Sequence, residues 1–566
     1  MSLILGINLS HNRSACLIRD GRILVAIEEE RLDRRKYSPG FIFTGKLKNF
    51  ARVSPMKAIT YCLDAAGVGI DEVDLVLGNK AAEDHSLQLL REELPIKDKN
   101  KILQLPEPSH HLAHAYSTYF CSPFEESAIM VVDGWGSATN RGKDIESESF
   151  FLGRGNSIQR LYSRNRDKSQ LSLGLFYDFF SSRLGFHLPF IDETSGSFGA
   201  GFTEPGKTMG LAAFGRHRED WDSVIQHDNG MISIGYKEVV SQFLYWKAME
   251  KPPPVENSET PRYEQPFWKD IAYKAQDELE NALVYLANHL FKITKCKNLC
   301  LAGGVSLNVS ANSKILKQTP FENIYTQPAA NDGGNAIGCA YYGYHECLGG
   351  QERLALNSVY IGRDYSDEKV RSCLIAEKGI IWRETSTLEV AGLLAEGKLV
   401  GWFQGGSEFG PRALGHRSIL ADPRNPKSKI ILNERIKCRE SFRPFAPAVL
   451  QELAGDFFEL PCPSPFMLLV SDVKEDKKKV IPSVTHVDGS ARIQTVAEDS
   501  DRDFRRLIEA FYRITGVPMV LNTSLNLKGE PIAETPSDAL NCLLRSELDC
   551  LVLSRYLVEK TNSPNM

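Results

Sequence analysis

The chain has 566 residues, of which 42% are hydrophobic and 25% are charged, and its formal net charge is −5. This composition is that of an ordinary globular protein, and the length exceeds what one hydrophobic core supports, so two to four domains are expected. The acidic balance argues against a large nucleic-acid-binding face, and no nucleic-acid partner is expected.

The apolar segments exclude a membrane protein. No stretch approaches ~18 uninterrupted apolar residues, and the apolar start of the chain is too short for a signal peptide. The 12 cysteines include no Cys-x-x-Cys pair, a pattern typical of reduced thiols rather than of a disulfide framework. We therefore expect a cytoplasmic enzyme.

The predicted elements begin with strands. Residues 2–9 read as a buried strand, and SACLIRDGRILVAIEEE gives two strands about an Asp20–Gly21 turn. Ser54 is expected to cap a helix that has Pro55 at its first position and Gly67 after its end. A strand over 74–79 follows. The strand-and-turn pattern of GINLSHNRS returns in VVDGWGSAT, which predicts a duplicated α/β domain of the actin and sugar-kinase kind.

Farther along, 265–295 has the apolar spacing of one long amphipathic helix. NLCLAGGVSLNVSANSKIL then predicts a strand, a Gly303–Gly304 turn and the start of a helix. Amides at such a turn can hold a phosphate or a ribose, but a tight turn without a ligand fits equally well. We expect a first domain over 1–352, a connecting region over 353–385 and a second α/β domain over 386–566, with strands in LVGWFQ, MLLVSDV, PMVLN and CLVLSRYLVEK.

A histidine pair suggests a metal site. His110 and His114 lie four residues apart on a predicted helix capped by Ser109, so their side chains share one face. Asp133 ends the next strand, and Asp332 lies in a Gly-rich turn. Two imidazoles with carboxylates suit Fe(II), Zn or Mn, whereas the pair alone is equally compatible with core packing.

The segment from Gly405 to Pro447 is locally basic. Between Arg412 and Arg443 it has nine Lys/Arg against three acidic residues, interleaved with glycines and aromatic residues. Guanidinium forks and exposed backbone amides suit a phosphate-rich small molecule. A solvated basic face is the alternative interpretation.

Within this segment, GPRALGHRSILADPR and SFRPFAP resemble the carbamoyltransferase family that includes the NodU-type nodulation-factor and the tobramycin O-carbamoyltransferases. The resemblance extends from GINLSHNRS to SRYLVEK. It implies a Kae-type, actin and sugar-kinase-like N-terminal domain fused to a YrdC-like α/β C-terminal domain. It also implies ATP-dependent transfer of a carbamoyl group from carbamoyl phosphate, via carbamoyladenylate, to a hydroxyl of a sugar or secondary metabolite, as in antibiotic biosynthesis.

The resemblance also implies site residues. His11, whose imidazole can take a proton near neutral pH, would be the general base. Fe(II) or another divalent transition metal would be bound by His110, His114, Asp133 and Asp332. Nucleotide or carbamoyladenylate in the first domain would contact Lys36, Lys207, Gly303, Gly304 and Asn308. Carbamoyl phosphate and ATP with Mg²⁺ in the second domain would contact Arg412, Lys437, Arg443, Arg492, Asn522 and Ser524.

Two positions depart from the family pattern: Asn12 replaces the usual Asp, and Gly406 replaces the usual Arg. Alternative functions remain open. A small-molecule kinase would leave the basic segment unexplained, and an amine or guanidine acceptor would make the product an N-carbamoyl compound. A tRNA-modifying threonylcarbamoyl transferase shares both domain types but fits the net charge poorly. The sequence does not identify the acceptor, and a homodimer is only a general expectation.

Overall fold

The computed structural model describes residues 2–38, 41–44, 49–52, 54–79, 86–140, 143–187, 203–251, 254 and 260–561. Contacts divide the chain into two compact units. The first comprises Met1–Glu29 and Tyr37–Leu356, and the second comprises Glu30–Lys36 and Asn357–Met566. The second unit thus includes a short early segment, 30–36, which contains helix α1 (Glu30–Asp33) and which the sequence analysis placed in the first domain.

The first unit is a mixed α/β structure. Its strands are β1 Leu3–Asn8, β2 Ser14–Arg19, β3 Arg22–Glu28, β4 Phe41–Thr44, β5 Asn49–Arg52, β6 Leu75–Gly78, β7 Ile102–Gln104, β8 Glu126–Val132, β9 Ala138–Thr139, β10 Asp144–Arg154, β11 Ser157–Arg166, β12 Gln226–Asp228, β13 Met231–Ser233, β14 Asn298–Ala302 and β15 Asn323–Thr326. Its helices are α2 Met56–Ala66, α3 Ser86–Glu93, α4 His110–Cys121, α5 Leu173–Arg183, α6 Pro205–Ala212, α7 Tyr236–Met249, α8 Pro266–Thr294, α9 Val309–Gln318 and α10 Asn335–Tyr342.

Two sheets of this unit have the same topology, which confirms the predicted duplication. The first has the strand order β3-β2-β1-β6-β7, and the second has the order β11-β10-β8-β14-β15. In each sheet the first three strands are antiparallel, and the last two run parallel to the central strand. The unit therefore repeats one α/β arrangement, as expected for an actin and sugar-kinase-like fold.

Close glycine contacts hold helices α4 and α10 together. A Cβ at Gly338 of α10 would lie 1.9 Å from the carbonyl oxygen of Ala113 of α4, and one at Gly6 of β1 would lie 2.0 Å from that of Ala336 of α10. Since no other side chain fits at these positions, glycine lets α10 pack directly on both neighbours. The two helices thereby bring the residues that follow β15 close to those of α4.

Local sequence signals match the observed elements closely. The hairpin turns at Asp20–Gly21, and α2 ends at Gly67 in the left-handed conformation. Helix α2 begins one residue later than predicted, because Pro55 rather than Ser54 occupies the capping position. Among the described residues, no helix is long and apolar enough to cross a membrane.

The second unit is built on one sheet of nine strands. They are β16 Ile380–Glu384, β17 Val400–Phe403, β18 Arg417–Ala421, β19 Ala446–Leu450, β20 Leu469–Asp472, β21 Ser490–Val496, β22 Met519–Ser524, β23 Cys550–Leu553 and β24 Tyr556–Lys560, in the order β16-β24-β23-β17-β18-β22-β19-β21-β20. Its further helices are α11 Asp367–Ala376, α12 Thr387–Ala395, α13 Pro426–Ile431, α14 Ala454–Phe457, α15 Arg502–Thr515 and α16 Pro536–Leu544.

The predicted strands of the second domain are all present in this sheet. The stretch 353–385, interpreted from the sequence as a connecting region, instead contributes α11 and the edge strand β16, which pairs with β24. Its strand was not recognised because edge strand IIWRE has exposed and half-buried positions rather than an apolar run. One continuous hydrophobic core underlies the sheet, from Val370 of α11 to Val558 of β24.

Candidate functional site

Helix α4 directs two histidines to one point. His110 and His114 are buried on the same face of the helix, as predicted from their spacing. Ser109 occupies the capping position, but its side chain makes no capping hydrogen bond. The amides of Ser109 and His110 instead donate to Oγ of Ser137, each at 3.0 Å. The start of α4 is therefore fixed by a residue that follows β8.

Two carboxylates complete a four-residue group, called here the His/Asp cluster (His110, His114, Asp133 and Asp332). Oδ2 of Asp133, at the end of β8, lies 3.0 Å from Nε2 of His110 and 3.8 Å from Nε2 of His114. Oδ1 of Asp332, just before α10, lies 3.4 Å and 3.5 Å from the same two atoms. One ligand atom from each residue lies within 4.8 Å of every other, and all four residues are buried.

The residues of the cluster fit a divalent transition metal. Ligand atoms bound to one ion at ~2.0–2.2 Å stand roughly 3–3.6 Å apart, the range that most of these pairs occupy. Oδ1 of Asp332 is buried and accepts no hydrogen bond among the described residues. Two buried carboxylates need positive charge, and an imidazole and carboxylate set suits Fe(II), Zn or Mn.

The electrostatics of the cluster point the same way. Burial alone would lower the pKa of His110, but the Asp332 carboxylate and a hydrogen bond to Asp133 raise that pKa well above its usual value. The pKa of His114 is also raised: burial opposes the change, and hydrogen bonds to the two carboxylates outweigh it. Burial would raise the pKa of Asp332, yet the facing imidazoles hold it well below its usual value. The two carboxylates therefore favour positive charge at the cluster, which protonated imidazoles or a bound divalent ion can supply.

Further donors orient the carboxylates. Oγ of Ser10 donates to Oδ2 of Asp332, and the amide of Gly304 donates to Oδ1 of Asp133 at 3.1 Å. Gly303, with φ +90°, is so close to β8 that a Cβ would lie 2.2 Å from the oxygen of Val132. The Gly303–Gly304 turn, predicted to hold a nucleotide, thus has one amide already bonded to a metal-ligand candidate. Ser10 was missed because its partner lies far away in the sequence.

His11 lies beside the cluster. Its Nε2 is 3.5 Å from Oδ2 of Asp332, and its Nδ1 is 2.8 Å from Oδ1 of Asn12. The amide oxygen can only accept, so Nδ1 carries the proton and Nε2 is left as the basic nitrogen. Asn12 has φ +55°, a conformation that Asn tolerates. Asn12 therefore orients His11 in place of the Asp of the family pattern.

Three other predicted nucleotide contacts have different surroundings. Lys207 Nζ pairs with Glu204 at the start of α6, 2.5 Å away. The side chain of Asn308 caps α9 and bonds to Gln276 through both its oxygen and its nitrogen, at 2.9 Å each. Lys36 belongs to the second unit. The structure therefore gives Asn308 a structural role and does not place Lys36 in the unit that holds the His/Asp cluster.

In the second unit, the predicted polar residues share one face of the sheet. Asn522 and Ser524 lie two residues apart on β22. Asn522 is paired with Ala446 of β19. Ala448, on the same face of β19, faces Gln494 of β21, and Arg492 lies two residues before Gln494. Side chains two apart on a strand project to the same side. Arg492, Asn522 and Ser524 therefore lie on one face of the sheet.

A group of guanidiniums lies close to this face and is called here the cation pocket (Arg412, Arg439, Arg443 and Arg492). Burial holds the pKa of Arg492 well below its usual value, and the other three guanidiniums lower it further. The pKa of Arg439 is likewise lowered, by burial first and then by Arg443. Glu440 is a nearby carboxylate, 3.8 Å from Nη1 of Arg443. All four arginines are half-buried, and mutually repelling guanidiniums favour binding of an anion with several charges.

Not every basic residue of the predicted segment joins this pocket. The buried Arg417 donates to backbone carbonyls of Gln404 and Gly405 and stacks on Phe403, so its role is structural. Arg424 is held by Asp422, and Lys427 and Arg435 are exposed. The structure adds Arg439, which the sequence analysis counted in the basic stretch but did not assign to the site.

Lys437 is buried beside the C-terminal end of β22. Its Nζ donates to Oδ1 and to the carbonyl of Asn526, at 2.7 and 3.0 Å, and to the carbonyl of Ser524. The N–H groups of the ammonium are therefore used within the protein, and Lys437 contributes charge rather than a free donor. Burial and then Arg439 lower its pKa to about 7. Asn526, missed from the sequence, lies two residues after the end of β22.

The loop before β18, residues 404–416, is held by hydrogen bonds to Glu408 and to Arg31. Oε1 of the buried Glu408 accepts from the amides of Leu414, His416 and Arg417 at 2.7–3.1 Å. From the 30–36 segment, Nη2 of Arg31 donates to the carbonyls of Gly410 at 2.7 Å and Glu408 at 3.3 Å. The chain next to Arg412 is therefore rigidly held.

A close backbone contact explains why glycine occupies position 406. A Cβ there would lie 2.3 Å from the carbonyl oxygen of Gly362. The arginine that the family pattern has at this position would not fit without moving the backbone. Any phosphate contact made by that arginine must come from elsewhere in this chain.

Comparison with known proteins identifies the family of the chain. The family model described as the carbamoyltransferase N-terminus matches residues 83–341, and that of the carbamoyltransferase C-terminus matches residues 391–560. The chain belongs to the carbamoyltransferase family. The resemblance found in the sequence and the assignment as a transferase enzyme are thereby confirmed.

Three relatives match over 80–100% of the chain. Nodulation protein NolNO of Sinorhizobium fredii is 36% identical over 100% of this chain and 81% of its own length. An uncharacterized protein of Synechocystis is 33% identical over 100% of this chain and 98% of its own length. Nodulation protein NolO of Bradyrhizobium diazoefficiens is 37% identical over 80% of this chain and 79% of its own length.

Similarity to solved structures is weaker. Full-length HypF in the phosphate- and nucleotide-bound form has a TM-score of 0.36 at 14% identity, covering 60% of this chain and 55% of HypF. A ROK hexokinase from Thermus thermophilus has a TM-score of 0.27 at 13% identity, covering 60% of this chain and 98% of the hexokinase. The actin and sugar-kinase-like fold of the first unit is supported by its own repeated strand order.

Proposed function

We propose that this carbamoyltransferase makes carbamoyladenylate in its second unit and transfers the carbamoyl group to a small-molecule hydroxyl in its first unit. The observation that carries the proposal is the presence, in one chain, of two different groups of polar side chains. One is the cation pocket beside Asn522 and Ser524, and the other is the His/Asp cluster beside His11. A kinase would need only the site in the first unit, beside His11.

In the first reaction, water cleaves carbamoyl phosphate to carbamate and phosphate. A carbamate oxygen then attacks the α-phosphorus of ATP, which carries Mg²⁺, and pyrophosphate leaves with the electrons of the broken P–O bond. The guanidiniums of the cation pocket stabilise charge that spreads over the phosphates. Lys437, which bonds to Ser524 and Asn526, supports the same anions in its protonated form.

In the second reaction, the acceptor oxygen attacks the carbamoyl carbon and AMP leaves. Nε2 of His11 takes the hydroxyl proton, and the contact of Nδ1 with Oδ1 of Asn12 orients the ring for that role. The His/Asp cluster would hold Fe(II) or a similar ion, which supplies Lewis-acid stabilisation of the leaving phosphate. The acceptor belongs to the class of sugars or secondary metabolites by analogy with the family. An amine acceptor would require the same residues.

The test is pyrophosphate release by the purified protein with ATP, Mg²⁺ and carbamoyl phosphate, with each component omitted in turn. Release should require all three. Arg412→Ala should reduce it about 100-fold, since a charged donor to the phosphates is lost. Lys427→Ala, which removes an exposed lysine of the same segment, should leave it unchanged. Formation of ADP without carbamoyl phosphate would instead support a kinase.

A further inference from the structure

The side-chain amide of Asn522 has one fixed orientation. Asn522 is almost fully buried, and its Nδ2 donates to the carbonyl of Ala413 at 3.2 Å and to Oε1 of Gln494 at 3.0 Å. Both N–H bonds are therefore used. Its Oδ1 is buried and accepts no hydrogen bond among the described residues.

Gln494 determines which way this amide points. Its Nε2 donates to the carbonyl of Leu414 at 2.6 Å, so its oxygen must face Asn522. Backbone carbonyls only accept, and two amides joined in series to two carbonyls have a single consistent orientation. Ala446 and Ala448 of β19 lie between the two side chains on this face, and their small size leaves room for the contact. Exchanging the oxygen and nitrogen of either residue would set acceptor against acceptor.

We infer that Gln494 is a positioning residue that presents Oδ1 of Asn522 to the carbamoyl nitrogen and so selects carbamoyl over acyl donors. The inference rests on the proposed function of the second unit. An unpaired buried acceptor on the sheet face that also carries Arg492 suits a small anion that has an N–H. Carbamoyl phosphate and carbamate have that group, whereas acetyl phosphate and acetate carry a methyl group in its place.

The selectivity should be large. A site that hydrogen-bonds a substrate N–H can reject the analogue that lacks it by several orders of magnitude, because its own polar atom is then left unpaired. An amide that rotates freely would lose this discrimination, since it would offer N–H as readily as oxygen. Asn522 keeps the bond to Ala413 in a Gln494 variant, so selectivity should weaken rather than vanish.

The experiment compares carbamoyl phosphate with acetyl phosphate, by calorimetric binding and by pyrophosphate release with ATP and Mg²⁺. The wild type should prefer carbamoyl phosphate at least about 100-fold. Gln494→Leu and the longer Gln494→Met should each reduce the ratio of kcat/KM values about tenfold and leave the KM for ATP unchanged. The control is Gln404→Leu, which removes another buried glutamine of the same sheet, one whose side chain bonds to the carbonyl of Ser554.

The outcomes separate this inference from the proposed function. Equal binding of the two phosphates by the wild type overturns the inference, as does an unchanged preference in a folded Gln494→Met protein. A preference that depends on Gln494 without any pyrophosphate release supports the inference and contradicts adenylate formation. A variant with the thermal stability of the wild type and a reduced preference supports the positioning role, because merely structural damage would also raise the KM for ATP.

Discussion

At the scale of single residues, some side chains of the two candidate sites were predicted from the sequence and others were found only in the structure. The four members of the His/Asp cluster and His11 were predicted from spacing and from resemblance to the family. Ser10, Gln494 and Asn526 were not, because each acts on a residue brought to it by a strand or a turn. Alternation along β21, in which Gln494 lies two residues after Arg492, is a signal that could have revealed Gln494.

Arg417 shows that a basic residue of the Gly405–Pro447 segment can have a purely structural role. In the sequence it is one of nine basic residues in a basic segment, but its guanidinium is buried against carbonyls. Sequence gives the number of charges in a segment and not the direction of each side chain. Only the sheet register separates the structural arginines from those of the cation pocket.

The His/Asp cluster leads to a prediction about metal content. His114→Ala should lower the metal bound per chain at least about tenfold, because one imidazole ligand is lost. It should leave pyrophosphate release intact while abolishing carbamoyl transfer. Elemental analysis of the purified protein measures the first effect. The neighbouring His111→Gln should keep the metal, since Nδ1 of His111 contacts Oγ of Ser149 instead. Equal metal in both variants would contradict the assignment.

Lys437 leads to a prediction about protons. Its pKa of about 7 makes it mostly neutral at pH 8 in the free protein. A bound polyphosphate favours the ammonium form and raises that pKa, so binding of ATP at pH 8 should take up nearly one proton. At pH 6 the group is already charged, and uptake should be near zero. Calorimetry in buffers of different ionisation enthalpy measures the uptake, and Lys437→Met should remove it.

At the scale of elements, the contact between α4 and α10 links packing to the metal site. Gly338→Ala would force a methyl group against the carbonyl of Ala113, at a cost of about 3 kcal/mol in the free energy of unfolding. Since Asp332 directly precedes α10, the same change should weaken metal binding. Thermal denaturation with and without added metal measures both effects.

A matched glycine provides the control. Gly392 lies within α12, and a Cβ there would meet nothing within 4 Å. Gly392→Ala should therefore stabilise the protein by about 0.5–1 kcal/mol, through better helix propensity. A destabilising effect at Gly392 equal to that at Gly338 would mean that the close approach of α4 and α10 is not the cause.

The 30–36 segment acts as an element of the second unit. Arg31 holds the loop before β18, and Arg34 donates to the carbonyls of Pro531 and Ile532 at 2.9 and 2.8 Å. Arg31→Leu should lower the free energy of unfolding by about 2–4 kcal/mol, because buried carbonyls lose a charged donor. It should also reduce pyrophosphate release, since Arg412 lies on the same loop.

The control for Arg31 lies four residues farther along the same segment. Arg35 is exposed, and its removal as Arg35→Leu should change neither stability nor pyrophosphate release. Denaturant unfolding followed by fluorescence compares the two variants. Equal effects of the two changes would indicate that charge alone, rather than the buried contact of Arg31, is responsible.

At the scale of the whole molecule, the fold class was predictable and the exact division of the chain was not. Repeated strand patterns and the resemblance indicated a duplicated α/β domain followed by a second α/β domain, and the strand order confirms the duplication. The sequence EEERLDRRK in and around the 30–36 segment has the appearance of solvated surface. Its contacts with residues 408–410 and 531–532 depend on the tertiary structure and leave no local signal.

The 30–36 segment also determines how the protein could be divided. The chain passes from the first unit to the second at residue 30, returns at residue 37 and passes over again at residue 357. A single break in the exposed stretch near residue 357 would leave the larger fragment still anchored in the smaller one through Arg31 and Arg34. Of the two fragments, the larger would contain the whole first unit together with the 30–36 segment, and the smaller would lack that segment of its own unit. Such a nicked protein should elute as one species in gel filtration.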